Sequence, residues 1–228
     1  TYLDTGDGIF QKCNAAYAKG GPEQAISMLN VNLDLNITDY VTVDFNSIIE
    51  CVDLLGGVDM EITDDEASLM TGYIRELNEL TGNKAENLTQ GGTYTLNGVQ
   101  ACAYARIRYG GGDDYRRTER QRTVLTAMVK KAQQSDLTTV NKLINEVCGD
   151  IQTSFSNAEL LALASQVFQY SIGDTTGFPF TKTTRVLSKK TGDVVIPCDL
   201  SDNVKELHIF LYEDSAYTAS DTVKQNSE

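Results

Sequence analysis

Strand patterns and helix patterns alternate along the whole of this 228-residue chain. Residues 58–62 and 194–196 have the alternating or β-branched character of short strands, whereas residues 117–134 repeat apolar side chains at the spacing of one helix face. Strands separated by helices are typical of a sandwich in which helices cover a β-sheet. The sequence therefore predicts a single α/β domain, since no linker, repeat or low-complexity segment divides it.

The charge of the chain limits the partners that it can bind. Its 19 Lys and Arg residues against 32 Asp and Glu residues give a net charge of −13. Broad nucleic-acid binding depends on a basic surface, so this balance argues against it. No apolar run approaches the roughly 20 residues of a transmembrane helix. The five cysteines lack the spacing of a zinc site, and we expect them to be small buried residues.

Arginines are concentrated in one short segment. Six of the eight lie within residues 106–122, where the acids Asp113, Asp114 and Glu119 accompany them; the six are Arg106, Arg108, Arg116, Arg117, Arg120 and Arg122. A guanidinium can bind phosphate or carboxylate oxygens through two parallel hydrogen bonds. The segment therefore predicts an anion site, and a pyrophosphate suits its charge better than a single carboxylate does.

The expected backbone supports this prediction. An extended backbone through Arg106 and Arg108 would aim both side chains the same way. Arg117, Arg120 and Gln121 fall on one face of the first turn of the next helix, where unpaired N–H groups and the helix dipole favour anions. An anion between the preceding glycine loop and this helix would meet three or four arginines.

Two other interpretations of the arginine segment stay open. It could be a solvated helix in which Glu119 pairs with Arg122 and another arginine is buried against Asp114. DNA binding is a weaker alternative, since there is no helix-turn-helix pattern and the net charge opposes it. Arginines near a helix N-terminus oppose the helix dipole, which favours an anionic ligand over the solvated helix.

Other candidate residues have simpler interpretations. Lys12, with Asn14 and Tyr17, could line a site, but a lone lysine on a helix is usually solvated. The acids at 64–66 could hold a metal ion, although acids are expected in a first helical turn because of the dipole. His208 is the single histidine, and we expect it to be a half-buried structural residue on a late helix.

The arginine segment resembles a signature of the LytR-CpsA-Psr family, the cell-wall glycopolymer ligases of Gram-positive bacteria. The resemblance is carried by Leu-Asn-Gly-Val-Gln-Ala-Cys-Ala-Tyr-Ala-Arg-Ile-Arg at 96–108, followed by Asp114, Arg117, Arg120 and Gln121. Residues 12–17 and the Gly-Gly at 20–21 look like further family segments, and residues 40–57 look like its central strand and helix.

The resemblance implies both a fold and an activity. The fold is a three-layer α/β/α sandwich around a central mixed β-sheet, with residues 1–175 as the family domain, 176–214 completing it and 215–228 as a polar tail. The activity is that of a phosphotransferase, which moves an anionic glycopolymer such as teichoic acid or capsule from a polyprenyl-pyrophosphate carrier to a peptidoglycan sugar hydroxyl. The resemblance also implies an apolar cavity for the polyprenyl chain, with Mg²⁺ assisting the reaction.

Carried over by position, the resemblance assigns roles to the residues of the segment. Arg106, Arg108 and Arg117 would act on the pyrophosphate as the catalytic group. Asp114 would orient an arginine or help to deprotonate the acceptor hydroxyl. Lys12, Arg120 and Gln121 would bind the substrate, with Arg120 the weaker candidate.

The resemblance also implies a cellular location and a set of family segments that this sequence lacks. Members lie at the extracellular face of the membrane, next to the cell wall, and are held there by a tether. The sequence opens at Thr1 where the family would end an Arg-Asp segment. We therefore expect the acids that help to hold magnesium, several core strands and the tether to be missing, and no metal ligand is identifiable. A member lacking those acids could bind polyprenyl phosphates or cell-wall anions without turnover, and a transcriptional attenuator is a less favoured alternative.

Overall fold

A computed structural model of the chain describes residues 1–108, 114–147 and 151–227. Its strands are β1 Tyr2–Asp4, β2 Phe10–Lys12, β3 Val41–Thr42, β4 Val58–Ile62, β5 Gly92–Leu96, β6 Gln152–Thr153, β7 Lys182–Val186 and β8 Asp193–Pro197. Its helices are α1 Asn14–Leu33, α2 Phe45–Leu54, α3 Asp64–Thr81, α4 Gly98–Arg106, α5 Asp114–Gln134, α6 Leu137–Val147, α7 Asn157–Ser165, α8 Leu200–Tyr212 and α9 Asp221–Ser227, with a 3₁₀ turn at Val167–Gln169.

The chain divides into two compact units. The first unit comprises Thr1–Tyr40 and Gly173–Glu228, and the second comprises Val41–Ile172. The first therefore contains both ends of the chain, and the second contains the arginine segment. The boundaries predicted at residues 175 and 214 stay predictions.

The strand pairing differs in form from the expected central mixed sheet. The α/β class is confirmed, but the described strands form four two-stranded antiparallel sheets, which are β1–β2, β3–β6, β4–β5 and β7–β8. A local pattern identifies a strand but not its partner, because pairing depends on contacts distant in sequence. In the described residues, each strand is short and pairs with one antiparallel neighbour.

Helix α3 illustrates how local sequence sets the helix ends. Thr63 is the N-cap and forms a capping box with Glu66, and Gly82 ends the helix in the left-handed region at φ 75°. The sequence pattern predicts a helix that begins at Thr63 and stops at Gly82, in agreement with both ends, and the acids at 64–66 occupy the first turn as expected from the dipole. Its buried face consists of Ala67, Met70, Ile74 and Leu77.

A close approach between α2 and α4 positions the end of the arginine segment. The Asp53 Oδ1 accepts a hydrogen bond of 2.7 Å from the N–H of Gly98, the first residue of α4. A Cβ at Gly98 would lie 2.2 Å from the carbonyl oxygen of Ile49, so only glycine permits this packing. The fixed position of α4 determines where its last residue, Arg106, lies.

In the second unit, the sequence pattern predicts a strand at 40–45, a helix capped by Asn46 and turns over 82–96, and the structure differs from each for local reasons. The segment 82–96 contains β5, although its polar composition indicated turns; its strand face becomes visible only through pairing with β4. The predicted strand at 40–45 gives way to α2 at Phe45, because Asp44 rather than Asn46 caps that helix by accepting from the Ser47 N–H.

In the first unit, the sequence pattern predicts a helix at 10–18, a second helix that begins at Pro22 and a strand at 178–180. Residues 10–12 pair as β2 instead of starting a helix. Helix α1 is interrupted by non-helical backbone at Gly20 and Gly21, so Pro22 begins its second half as predicted. Residues 178–180 are not a strand, and β7 follows them at Lys182–Val186.

The polar tail is anchored on the first unit. The Tyr217 hydroxyl donates to Asp34, and the Ser220 N–H and hydroxyl donate to the same carboxylate at 2.9 and 2.7 Å. His208 is buried, contacts the carbonyl of Leu33 at 2.9 Å and stacks on Tyr217. These contacts confirm a structural role for His208, and a short helix, α9, ends the described tail.

We expect Asp34→Asn to loosen this tail in a pH-dependent way. Burial favours the neutral acid, but the hydrogen bonds from Tyr217 and Ser220 outweigh it and lower the pKa of Asp34 below its usual value. The stability from this lowered pKa is present above the unfolded pKa of about 4 and is lost as the pH falls through the folded pKa. Asn should cost about 2 kcal/mol at pH 7, from lost charge-assisted hydrogen bonds.

Urea unfolding of both proteins at pH 7 and pH 3 tests this prediction. The difference in unfolding free energy between the wild type and Asp34→Asn should shrink at pH 3. A difference of the same size at both pH values would contradict a role for the ionised carboxylate.

Candidate anion-binding site

Arg106 lies at the C-terminal end of α4, where the helix dipole favours a cation. One of its terminal nitrogens donates 2.9 Å to the Glu76 carboxylate of α3. Its guanidinium carbon also lies over two aromatic rings, 4.9 Å from the Phe45 centroid and 5.5 Å from the Tyr73 centroid. Its other terminal nitrogen, Nη1, is buried and has no hydrogen-bond partner among the described residues. The side chain is thus firmly placed but not fully satisfied.

The predicted extended backbone through Arg106 and Arg108 is wrong at Arg106. Arg106 is helical, and Ile107 ends α4, so the two arginines are not held side by side on one extended strand. Arg108 is exposed immediately beyond the helix. Both lie at the same end of α4, but Arg106 is its last residue and Arg108 follows the Ile107 cap.

Arg120 has a different environment from that of the other arginines. Its side chain is 8% exposed, and its Nε donates 3.1 Å to the Glu66 carboxylate, which is itself 13% exposed. It also contacts the carbonyl of Ile107 and lies 5.9 Å from the centroid of the Tyr104 ring. Arg120 therefore joins the start of α3, the end of α4 and α5. One arginine is buried in an ion pair, as the structural interpretation expected, but its partner is Glu66.

The remaining residues of the segment lie on or before α5, which begins at Asp114 rather than at the predicted Arg117. Arg117 is half-buried at the end of the first turn, and Gln121 is exposed in the second. The first turn of this helix thus comprises residues 114–117 instead of 117–120. The Asp114 side chain and the glycine loop at 110–112 lie outside the described residues.

Lys12 belongs to the first unit, where it ends β2 instead of lying on a helix. It is exposed and lines a cavity of about 550 Å³, together with Asn14, Lys190 and Thr191. The Lys12 Nζ approaches the β7–β8 turn, since a Cβ at Gly192 would lie 3.8 Å from it. The two lysines give this cavity a positive lining.

The cysteines do not supply a nucleophile near the arginines. Burial raises the pKa of the Cys102 thiol on α4 to about 12, so it stays protonated at neutral pH. Cys198 is exposed and Cys13 and Cys51 are half-buried, which corrects the expectation that all cysteines are buried. Cys148 lies outside the described residues.

The described residues do not fit a magnesium site. They contain no group of three or more His, Cys, Asp or Glu side chains that could hold a metal ion. The acids at 64–66 serve the helix terminus and the ion pair with Arg120 instead.

Four contacts of Arg106 and Arg120 cannot be predicted from the neighbouring sequence. Glu76 and Tyr73 lie on α3, and Phe45 begins α2, each at least 30 residues from Arg106 in the chain. Glu66 lies 54 residues from Arg120. The sequence identifies the acids at 64–66 as first-turn residues of a helix, but only tertiary packing gives Glu66 its arginine partner.

No helix in the described part of the chain has both the length and the apolar character needed to cross a membrane.

A sequence model of the LytR_cpsA_psr family matches residues 2–186. TagV of Bacillus subtilis, named a polyisoprenyl-teichoic acid–peptidoglycan teichoic acid transferase, is 29% identical over 154 residues, which is 67% of this chain and 37% of TagV. Biofilm regulatory protein A of Streptococcus mutans is 32% identical over 149 residues, which is 64% of this chain and 35% of that protein. The chain thus spans less than half the length of either relative.

Solved structures show the same fold. The crystal structure of B. subtilis TagV has a TM-score of 0.69 at 23% identity, covering 96% of this chain and 80% of that one. TagT bound to LIIa-WTA also has a TM-score of 0.69, at 21% identity, covering 95% of this chain and 76% of that one. The likeness to these structures confirms the α/β fold.

Proposed function

This chain belongs to the LytR_cpsA_psr family, and from that premise we propose that it transfers an anionic glycopolymer from a polyprenyl-pyrophosphate carrier to a hydroxyl of a peptidoglycan sugar. The relatives named as teichoic acid transferases support this class of substrate. The site of action in this proposal is the extracellular face of the membrane of a Gram-positive bacterium, at the cell wall.

One observation carries the proposal: the unsatisfied nitrogen of Arg106 at the end of α4. A buried guanidinium nitrogen without a partner is costly, so natural proteins rarely keep one without use. A phosphate oxygen would satisfy it. Arg108 lies just beyond the same end of α4, and Arg117 lies in the first turn of α5. Both would add positive charge.

Phosphoryl transfer requires the protein to position the reactants and to neutralise negative charge. The acceptor hydroxyl attacks the phosphorus that carries the glycopolymer, forming a new P–O bond. The bond between that phosphorus and the bridging oxygen breaks, and polyprenyl monophosphate leaves with the electron pair. Arg106, Arg108 and Arg117 balance the charge that develops on the phosphate oxygens. Asp114 accepts the hydroxyl proton or orients an arginine.

Substrate contacts outside this group are also proposed. Gln121, exposed on α5, would hydrogen-bond the phosphate or the adjoining sugar, and Lys12 would bind a phosphate oxygen. Arg120 is assigned to the fold instead of to the ligand, because Glu66 already holds it. Magnesium remains an expectation from the family, and transfer measured with and without a chelator tests it.

A second candidate function is binding without turnover. The buried Arg106 nitrogen supports this function as well, since it could bind a phosphate oxygen whether or not transfer follows. In this case the protein would hold a polyprenyl phosphate or pyrophosphate and release no product.

A direct transfer reaction decides between the two functions. The protein is incubated with a polyprenyl-pyrophosphate-linked teichoic acid precursor and peptidoglycan, and the products are analysed for polymer joined to peptidoglycan and for polyprenyl monophosphate. Both products together support the transferase. Bound lipid in an organic extract of the protein without either product supports the binding function, and neither bound lipid nor product contradicts both.

A further inference from the structure

Two aromatic rings pack against Arg106, although binding an anion requires only its guanidinium. Two aromatic rings from different helices lie against its guanidinium, Phe45 at the start of α2 and Tyr73 in the middle of α3. Phe45 is 39% exposed, so its ring is not placed there by the demands of the core. An exposed aromatic ring against a cation indicates that the cation's orientation matters.

The contacts restrict the guanidinium in complementary ways. The ring faces limit where the flat group can lie, since a cation is attracted to the face of an aromatic ring. The Glu76 carboxylate takes one terminal nitrogen at 2.9 Å and so limits rotation about the group's own plane. The second terminal nitrogen is left over, buried and without a partner in the described part of the chain.

We propose that Phe45 and Tyr73 are positioning residues, which hold the guanidinium of Arg106 so that its unpaired nitrogen meets a pyrophosphate oxygen. This inference rests on the proposed function and adds a determinant outside the arginine segment. The rings do not touch the ligand. They reduce the conformational freedom that an arginine side chain would otherwise lose on binding, which raises the affinity for the anion.

The competing explanation is that Glu76 alone positions Arg106. Glu76 is 57% exposed, and such surface ion pairs hold a side chain weakly. A solvated partner cannot fix the plane of the guanidinium, whereas two rings can. Substitutions of Phe45 and Tyr73 therefore test the positioning of Arg106.

The test measures binding of inorganic pyrophosphate to the protein and to ring variants. Phe45→Leu and Tyr73→Leu keep apolar bulk and remove the ring, whereas Phe45→Trp and Tyr73→Phe keep a ring. The chain contains no tryptophan, so Phe45→Trp also places a single indole emitter beside Arg106, and its fluorescence should change as pyrophosphate binds.

We expect each leucine variant to bind pyrophosphate roughly five- to tenfold more weakly, while the ring-retaining variants stay within about twofold of the wild type. In an Arg106→Ala background, Phe45→Leu should have no further effect, because the ring acts only through Arg106. Thermal unfolding of each variant serves as the control, since a purely structural role would lower the melting temperature without this dependence on Arg106.

Two outcomes would overturn the inference. If the wild type binds pyrophosphate and Arg106→Ala weakens it, but both leucine variants bind as the wild type does, the rings do not position Arg106 and the proposed function stands. If the wild type binds no pyrophosphate and transfers no polymer, the proposed function fails and the positioning role fails with it.

Discussion

Replacing Arg106 by alanine should lower the rate of glycopolymer transfer by about 10²–10³-fold, as does the loss of one preorganised donor to developing charge in other enzymes. Arg106 is the arginine whose position is best defined, and its nitrogen Nη1 lacks a partner in the described structure. Phosphoryl transfer depends on charge neutralisation in the transition state, so the loss should appear mainly in kcat. Arg117→Ala should have an effect of the same order.

Two variants make this prediction specific. Arg106→Lys keeps the charge but loses the planar fork, so its rate should lie between those of the wild type and the alanine variant. Arg75→Ala removes an exposed arginine from α3, outside the cluster, and should leave the rate unchanged. Transfer is measured as polymer joined to peptidoglycan per minute, at saturating carrier. Unchanged turnover in Arg106→Ala and Arg117→Ala would remove these residues from the mechanism.

Replacing Arg120 by alanine should instead destabilise the fold, by about 3 kcal/mol, because it leaves a partly buried Glu66 carboxylate without its partner. Both side chains of this pair are largely buried, at 8% and 13% exposure, and Arg120 also contacts the end of α4. Urea unfolding measures the loss. A double-mutant cycle with Glu66→Gln measures the coupling. The two single variants should together lose about 1 kcal/mol or more of unfolding free energy beyond the loss of the double variant.

The same variant separates a structural from a functional arginine. Where Arg120→Ala remains folded, at low temperature or low denaturant, its rate per folded molecule should stay within about threefold of the wild type, because no preorganised donor to the phosphate is lost. A variant as stable as the wild type but inactive would contradict the structural role and return Arg120 to the ligand site.

The helix signals of this sequence are strong because they are local. Thr63 with Glu66 and Asn97 with Gln100 form capping boxes within four residues, and each correctly marks the start of a helix. The arginine segment is equally local, and its charge alone indicates an anion site. Strands were predicted less well: β5 and β7 were missed, since their side chains become a strand face only beside a partner.

The roles of individual arginines show the limit of local information. Arg106 and Arg120 look alike in the sequence, each basic and next to a helix end. The packing of α3 against α4 and α5 gives Arg120 a buried carboxylate, while the rings of α2 and α3 hold Arg106 with a nitrogen unpaired. Nothing within ten residues of either arginine specifies these partners.

The sequence by itself thus determined the α/β class, the family and several helix ends, and it predicts an anion-binding segment, because helix caps, periodicity and clustered charge act between neighbours in the chain. Only the tertiary structure decided which strands pair, that Arg120 is buried in an ion pair and that Arg106 keeps a buried nitrogen without a partner among the described residues. Those choices depend on burial and on contacts between residues distant in the chain, such as Glu76 with Arg106, 30 positions apart, and Glu66 with Arg120, 54 positions apart. Burial changes the energy of an ion pair far more than its sequence neighbours do.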